Sequence, residues 1–270
     1  VVGRALRNTF VIVFAILWLI PIYLMIVNAF VPAADYTGAP TWVPTGAGFL
    51  DNLSIAWTQS GLGLGLANSL LYSFVSAGLA VFAAALAGFA VVVMPTRRPT
   101  IWFWLIYLGT LLPLQIFLAP LFKAYVGTKI YDTSLGMILI YSAICVPFAF
   151  FIVRNFLTTL PPEITEAAQL DGAGWGRLFF RIHFPLIKSS LFAAFIFQFT
   201  WVWNDLLFGI TLTTSPDRRP VMAALAEISA GFSSLGPPVV LAAAIAASLP
   251  TVVLFLLCQR FFVSSLKAVG

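Results

Sequence analysis

Long apolar runs alternate along the chain with shorter segments that hold nearly all of its charged residues. Six runs reach the roughly 20 consecutive apolar residues needed to cross a bilayer core. They lie at about Thr9–Val31, Ala67–Val93, Ile101–Phe122, Ser134–Val153, Ser189–Thr213 and Val239–Val263, bounded by charged, Pro or Gly-rich sequence. The bilayer core offers backbone N–H and C=O groups no water, and the alternation of a membrane barrel strand is absent, so the spans are predicted to be helices. The first run is too long for a signal peptide and lacks a small-x-small exit site, so it is read as a retained span. The chain opens at Val1 and not at Met, as expected of a trimmed or partial chain with a short cytoplasmic tail ahead of it.

Composition agrees with the pattern. Of 270 residues, 61% are hydrophobic and 9% charged, against roughly 45–50% and about 25% in soluble domains. Lys and Arg fix the orientation, because they are retained on the cytoplasmic side of short loops. With both termini inside, the cytoplasmic segments hold Arg4, Arg7, Arg97, Arg98, Arg154, Arg177, Arg181, Lys188, Arg260 and Lys267, and the outer loops hold Lys123, Lys129, Arg218 and Arg219. This bias accounts for the net charge of +5 without any nucleic-acid partner. Cys145 and Cys258 fall inside spans as small apolar residues, and no disulfide framework is implied.

Two connections are long: an outer loop from about Pro32 to Leu66 and an inner loop over about 154–188. In the outer loop, Asn52–Gln59 is predicted to form a short interfacial helix with Trp57 at headgroup depth. Gly61, Gly63 and Gly65 follow no strand and read as flexible loop, not as a nucleotide cradle. No internal repeat relates the first three spans to the last three, which weighs against an inverted-repeat secondary transporter.

The inner loop runs PPEITEAAQLDGAGWGRLFFRIHFPLIKSS from Pro161 and reads as helix, turn, helix. Pro161 and Pro162 suit a helix start, Glu163 and Glu166 sit at its favourable dipole end, and Gly172 and Gly174 stop it. A second short helix is expected over about Trp175–Ile182, with Leu178, Phe179 and Ile182 on one face, before Pro185 reopens a helix into the fifth span. Two readings stand on these features alone: a docking surface for a protein partner, or a loop folded back on its own bundle.

Glu166, Ala167, Ala168, Gly172, Ile182 and Pro185 occupy the positions of E-A-A-x3-G-x9-I-x-L-P, with Phe184 where Leu is usual. The string resembles the EAA motif of ABC-importer permeases. LLPLQ at Leu111–Gln115, WND at Trp203–Asp205 and LPTVVLFLLCQRFFV at Leu249–Val263 extend the resemblance over most of the chain, toward the carbohydrate-uptake branch typified by maltose and glycerol-phosphate importers. It implies an all-α polytopic bundle of six transmembrane helices forming one permease domain over 1–270, with cytoplasmic coupling helices. It also implies a prokaryotic cytoplasmic membrane, lipid contact, a second homologous permease subunit, a cytosolic ATPase dimer that uses ATP and Mg, and an extracytoplasmic solute-binding protein. By resemblance Glu166 makes polar contacts with the ATPase, Ala167 and Ala168 a tight contact and Gly172 the turn, with Asp171 also among the ATPase-coupling residues, while Ile182 and Pro185 join the second helix to the span.

Asp205 is the only acidic residue placed within a span, where an unpaired charge costs about 2.5–3.5 kcal/mol. Trp203, Asn204 and Asp205 either line the solute path or bond across helices and cap a break in the span; Gln115, between Pro113 and Pro120, carries the same ambiguity. His183 is the only histidine, so no metal site or histidine cluster assembles around it. No G-K dipeptide occurs, so the phosphate-cradling G-x4-G-K-[ST] loop is absent. The expected function is alternating access for a sugar, oligosaccharide or related polyol, driven by a partner ATPase; the alternatives are a secondary transporter or an ABC permease for a non-carbohydrate solute.

Overall fold

A computed structural model describes residues 2–230 and 235–267, and every element among them is helical. In chain order the α-helices are α1 (Val2–Ala29), α2 (Phe49–Gln59), α3 (Leu62–Val92), α4 (Pro99–Tyr107), α5 (Leu118–Thr128), α6 (Ser134–Leu157) and α7 (Glu163–Leu170). There follow α8 (Trp175–Arg177), α9 (Phe184–Leu186), α10 (Lys188–Trp203), α11 (Leu207–Leu212), α12 (Val221–Ser229) and α13 (Pro237–Lys267). Segments Leu6–Ala29, Leu62–Val92, Ser134–Leu157 and Pro237–Cys258 are each long and apolar enough to cross a membrane. Two bent pairs, Pro99–Thr110 with Leu114–Thr128 and Trp175–Leu186 with Lys188–Trp203, bring the number to six if each is one span.

Two expected spans are not single helices. The run over 101–122 bends by 85° between Thr110 and Leu114, because Pro113 takes an extended conformation and has no N–H to continue the ladder. The run over 189–213 ends as a regular helix at Trp203, and a short helix resumes at Leu207. The glycine-rich stretch is also more ordered than expected. Only Gly61 adopts a left-handed conformation (φ +66°), and Gly63 and Gly65 already belong to α3. A Cβ would collide with the Trp57 ring at Gly63 and press closely on the Val221 backbone at Gly65.

The chain divides into two compact units, Val1–Leu66 with Val221–Pro250 and Ala67–Pro220 with Thr251–Gly270. In the first, the expected short helix forms as α2 and is fastened to the end of α1. The fully buried Asn52 amide donates to the carbonyls of Ala29 (3.0 Å) and Val31 (2.7 Å), and Gly48 N–H donates to Phe30 O at 2.9 Å. Most of α1 is exposed; Phe10 and Trp18 each keep 68% of their surface open. An apolar helix in that state requires lipid or another subunit around it.

The second unit holds two apolar clusters. One joins Ala84, Ala85 and Phe89 of α3 to Phe150, Val153 and Leu157 of α6 and to Leu178, Phe179 and Ile187. The other gathers Tyr72, Met137, Tyr141, Cys145, Phe208 and Leu212. Cys145 and Cys258 are buried, and neither forms a disulfide among the described residues.

Outside the spans, Asp132 clamps two connections together. Its backbone N–H donates to Leu212 O at 3.1 Å, and its Oδ1 accepts from the N–H groups of Thr214 (2.9 Å) and Ser215 (3.1 Å). Burial pushes this carboxyl up, but the hydrogen bonds from Ser215 and Thr214 and the nearby Arg218 charge outweigh that and hold it below the ordinary carboxylate value. A depressed carboxylate stabilises the fold above its unfolded pKa of about 3.9, and the contribution is lost as pH falls through the folded value. Thermal unfolding in detergent is therefore expected to show Asp132→Asn melting below the native chain at pH 7, with the gap closing below about pH 4. A gap that stays constant down to pH 3 contradicts the clamp.

Candidate functional site

The inner loop folds as the sequence predicts in outline. Glu163 and Glu166 lie in the first turn of α7, where carboxylates favour the unpaired N–H groups of the helix end. The helix then stops in a Schellman turn. Gly172 has φ +76° and donates its N–H to Gln169 O at 2.9 Å, while Ala173 N–H reaches Ala168 O at 3.0 Å. Nothing lies within 4 Å of where a Gly172 Cβ would be, so conformation and not crowding demands glycine.

This turn sorts the motif residues. Glu166, Ala167 and Asp171 are exposed, whereas Ala168 is half-buried and packs on the α3–α6 cluster together with Ala173. Of the two alanines, Ala167 alone faces outward. Leu170, which the sequence reading passed over, is 89% exposed. Its only signal was an apolar side chain at the polar end of an extramembrane helix.

The second helix is less regular than expected. Between α8 and α9, Leu178–His183 form a π-helical turn, and Pro185 stands exposed in the first turn of α9. Leu178, Phe179 and Ile187 are buried, with Ile182 packed beside them, which fastens the hairpin to α3 and α6. His183 is 2% exposed, stands edge-on to Phe89, and shares a 3.1 Å hydrogen bond between its Nε2 and Thr165 Oγ1 of α7. Burial lowers the imidazole's pKa, favouring the neutral ring. Behind α7 lies a cavity of about 630 Å³ lined by Thr165, Glu166, Gln169, Trp175 and His183, among others.

The intramembrane candidates do not converge on one site. Trp203 is 1% exposed and stacks on Phe199 at 5.9 Å, so it belongs to the core. Asn204 is exposed and donates to Thr200 O at 2.7 Å, closing α10. Asp205 does what the capping alternative described. Its Oδ2 accepts from Tyr141 Oη (2.9 Å) and from the N–H groups of Phe208 (3.0 Å) and Gly209 (3.3 Å), satisfying the first turn of α11. Gln115 is exposed on the 3-10 turn Leu114–Phe117 after the bend.

Polar lining appears instead at a position the sequence reading missed. A cavity of about 310 Å³ lies among the α4–α5 bend, α6 and α10, lined by Thr110, Leu114, Phe148, Phe197, Gln198 and Trp201 among others. Gln198 went unnoticed because it carries no charge and sits in an otherwise apolar run.

Comparison with known proteins decides the family. Residues 80–267 match the model for the binding-protein-dependent transport system inner membrane component. The chain belongs to that family. It is 32% identical over 265 residues, 94% of its own length and 92% of the relative's, to the sn-glycerol-3-phosphate transport system permease protein UgpE of Yersinia pestis. It is 30% identical over 251 residues, 92% and 90% of the two lengths, to the melibiose/raffinose/stachyose import permease protein MelC of Bacillus subtilis. Its fold matches a chain of a bacterial ABC transporter that imports the acidic polysaccharide alginate, with a TM-score of 0.83 over 97% of this chain and 96% of that one at 17% identity. The protein is thus a polytopic all-α permease subunit of an ABC importer. Among the described residues, no group of three His, Cys, Asp or Glu side chains is placed to hold a metal ion.

The Tyr141–Asp205 contact makes a quantitative prediction. Asp205→Ala and Tyr141→Phe are each expected to destabilise, and their effects to fall short of additivity by about 0.5–3 kcal/mol in a double-mutant cycle read by unfolding in detergent. Strict additivity means the two groups do not share the bond.

Proposed function

We propose that this permease crosses the membrane six times with both termini in the cytoplasm, as one domain over 1–270, each bent pair being counted with the span it belongs to. The Lys and Arg distribution supports that orientation. Its cargo is a sugar, oligosaccharide or related polyol, taken from an extracytoplasmic solute-binding protein and moved by alternating access between this chain and a second homologous permease subunit. The relatives named for melibiose, raffinose, stachyose and sn-glycerol 3-phosphate, each matched over more than 90% of this chain, support that class. A cytosolic ATPase dimer using ATP and Mg supplies the energy.

The observation that carries the coupling role is the geometry of α7. Its Schellman turn holds Glu166, Ala167, Leu170 and Asp171 exposed outside the long apolar helices. The adjoining Leu178, Phe179 and Ile187 are locked to α3 and α6. A push on the exposed face is carried by packed side chains into the spans, as a shift of rigid elements and not as loop bending. Glu166, Ala167, Asp171 and Leu170 form the contact face, Gly172 sets the turn, and Ala168, Ile182 and Pro185 tie the hairpin to the bundle. Asp205, Asn204 and Trp203 shape and cap the break in the fifth span without touching cargo. Gln115 stands at the bend, where a second subunit closes the path.

Gly172→Pro cannot adopt φ +76° and removes the N–H given to Gln169, while leaving every apolar span intact. Co-purification from detergent with the partner subunits is expected to retain the ATPase on the native chain and lose it on this variant. Retention by both, with the turn shown to be disrupted, removes α7 from the coupling interface. A folded native chain that holds no ATPase overturns the reading as a whole.

A further inference from the structure

His183 is the only histidine of the chain and takes no part in the contact face just described, yet it holds that face in place. The contact helix α7 is eight residues long, too short to persist in water unaided. Ala168 is its one residue packed on the α3–α6 apolar cluster. The rest of its attachment is polar. The 3.1 Å bond between Thr165 Oγ1 and His183 Nε2 is the one hydrogen bond, among the described residues, that joins α7 to the returning arm over 175–187. On the far side of that bond the imidazole is held by the bundle: it is 2% exposed, ends the π-helical turn Leu178–His183 and stands edge-on to Phe89 of α3 at 5.3 Å. Thr165 and His183 therefore form a direct side-chain route from α7 to α3.

The route holds only while the ring is neutral. Its Nδ1 is buried and has no hydrogen-bond partner among the described residues. A neutral ring leaves one nitrogen unmet there, whereas an imidazolium would bury a charge whose second N–H finds no acceptor. The surrounding charges give it little help. α7 brings Glu163 and Glu166, and neither pairs with the ring. The returning arm brings Arg177 and Arg181, and α10 opens on Lys188. Arg154 of α6 lies over the Phe103 ring at 4.8 Å, and α3 has no charged residue until Arg97 and Arg98 beyond its end. Burial holds the imidazole below its ordinary value of about 6.5. The neutral pin is thus complete above that value and is lost as pH falls through the lower, folded one.

The structure also gives a protonated ring somewhere to go. The cavity of about 630 Å³ behind α7 is walled by His183 together with Thr158, Thr165, Glu166 and Gln169, among others, and is both roomy and polar enough for water. Resting on the coupling reading above, we propose that Thr165 and His183 are a positioning pair: the neutral imidazole pins α7 to the buried arm, and acidification of the cytosolic side turns the ring toward the wet cavity and uncouples ATP hydrolysis from transport.

The test uses the complete importer, with its second permease, ATPase and binding protein, in proteoliposomes. Uptake of radiolabelled melibiose, raffinose and sn-glycerol 3-phosphate is measured beside ATP hydrolysis at about pH 7.5 and about pH 5.5, on either side of the ordinary imidazole value. Thr165→Val keeps the volume and removes the bond, and at the higher pH it should lower the solute moved per ATP about three- to tenfold, the weight of one hydrogen bond. The native ratio should fall by a similar factor on acidification. In His183→Gln, whose amide reaches for Thr165 without titrating, the ratio should stay the same at both pH values. A pH profile of His183→Gln that matches the native one overturns the proposal. Native coupling in Thr165→Val, with Gly172→Pro uncoupled in the same assay, overturns the pair and leaves α7 as the contact. No uptake of any of the three solutes by the native complex refutes the cargo reading, and the pin is then decided by a measurement that needs no cargo.

That measurement is amide hydrogen exchange on the same complex at about pH 7.5. Thr165→Val should exchange about three- to tenfold faster than the native chain across 163–170, with α3 and α6 unchanged. Unchanged protection of α7 rules out the pin. Equal loosening of α3 and α6 assigns the bond to general stability and overturns the positioning role.

Discussion

Hydrocarbon accepts no hydrogen bonds from the backbone, so each place where a span departs from a continuous helix must carry its own compensation. In this permease the departures and the compensations can be paired. The regular helix α10 ends at Trp203, and the carboxylate of Asp205 receives the N–H groups of Phe208 and Gly209 that the next turn leaves unpaired. The same oxygen takes the hydroxyl of Tyr141 from α6. One ionisable side chain thereby closes a gap within its own segment and joins that segment to α6. The chain bends at Pro113 between α4 and α5, and the wall of that bend is shared with the Gln198 cavity.

The inner hairpin works under the opposite solvent condition. Outside the apolar helices, exposed backbone is cheap and shape is set by turn chemistry. Gly172 supplies the left-handed residue, and the two Schellman bonds fix which side of α7 turns outward. Phe89 is the hub on the inner side: Phe179 and His183 both meet it with ring centroids 5.3 Å apart, and Trp175 at 6.5 Å. The exposed face of α7 and the buried anchor around Phe89 are thus separated by a few residues of one chain.

What could be read from the sequence follows from the kind of signal each feature emits. Spans depend on summed apolarity, and the four long helices lie close to where the runs of apolar residues put them. The α7 turn was legible because glycine at Gly172 and the spacing back to Glu166 are local facts. The bend at Pro113 was not, since proline is also tolerated in continuous membrane helices. The break after Trp203 is announced by Asn204 and Asp205, whose side chains either line a path or cap a helix; only the position of Tyr141, 64 residues earlier, decides between them. Gln198 illustrates the remaining limit. Its neighbours in space are Thr110 and Phe148, from two other helices, and no window along the chain contains all three.

The bond between Tyr141 and Asp205 also bears on how the chain enters the membrane. Synthesis delivers α6 before α10, so the tyrosine hydroxyl is already in place when the aspartate arrives. The regular helix α10 ends at Trp203, and beyond that point the chain brings a carboxylate and a broken ladder. Its settled state therefore presupposes α6. Along the chain, the hydroxyl donor of α6 is thus made before the carboxylate that receives it.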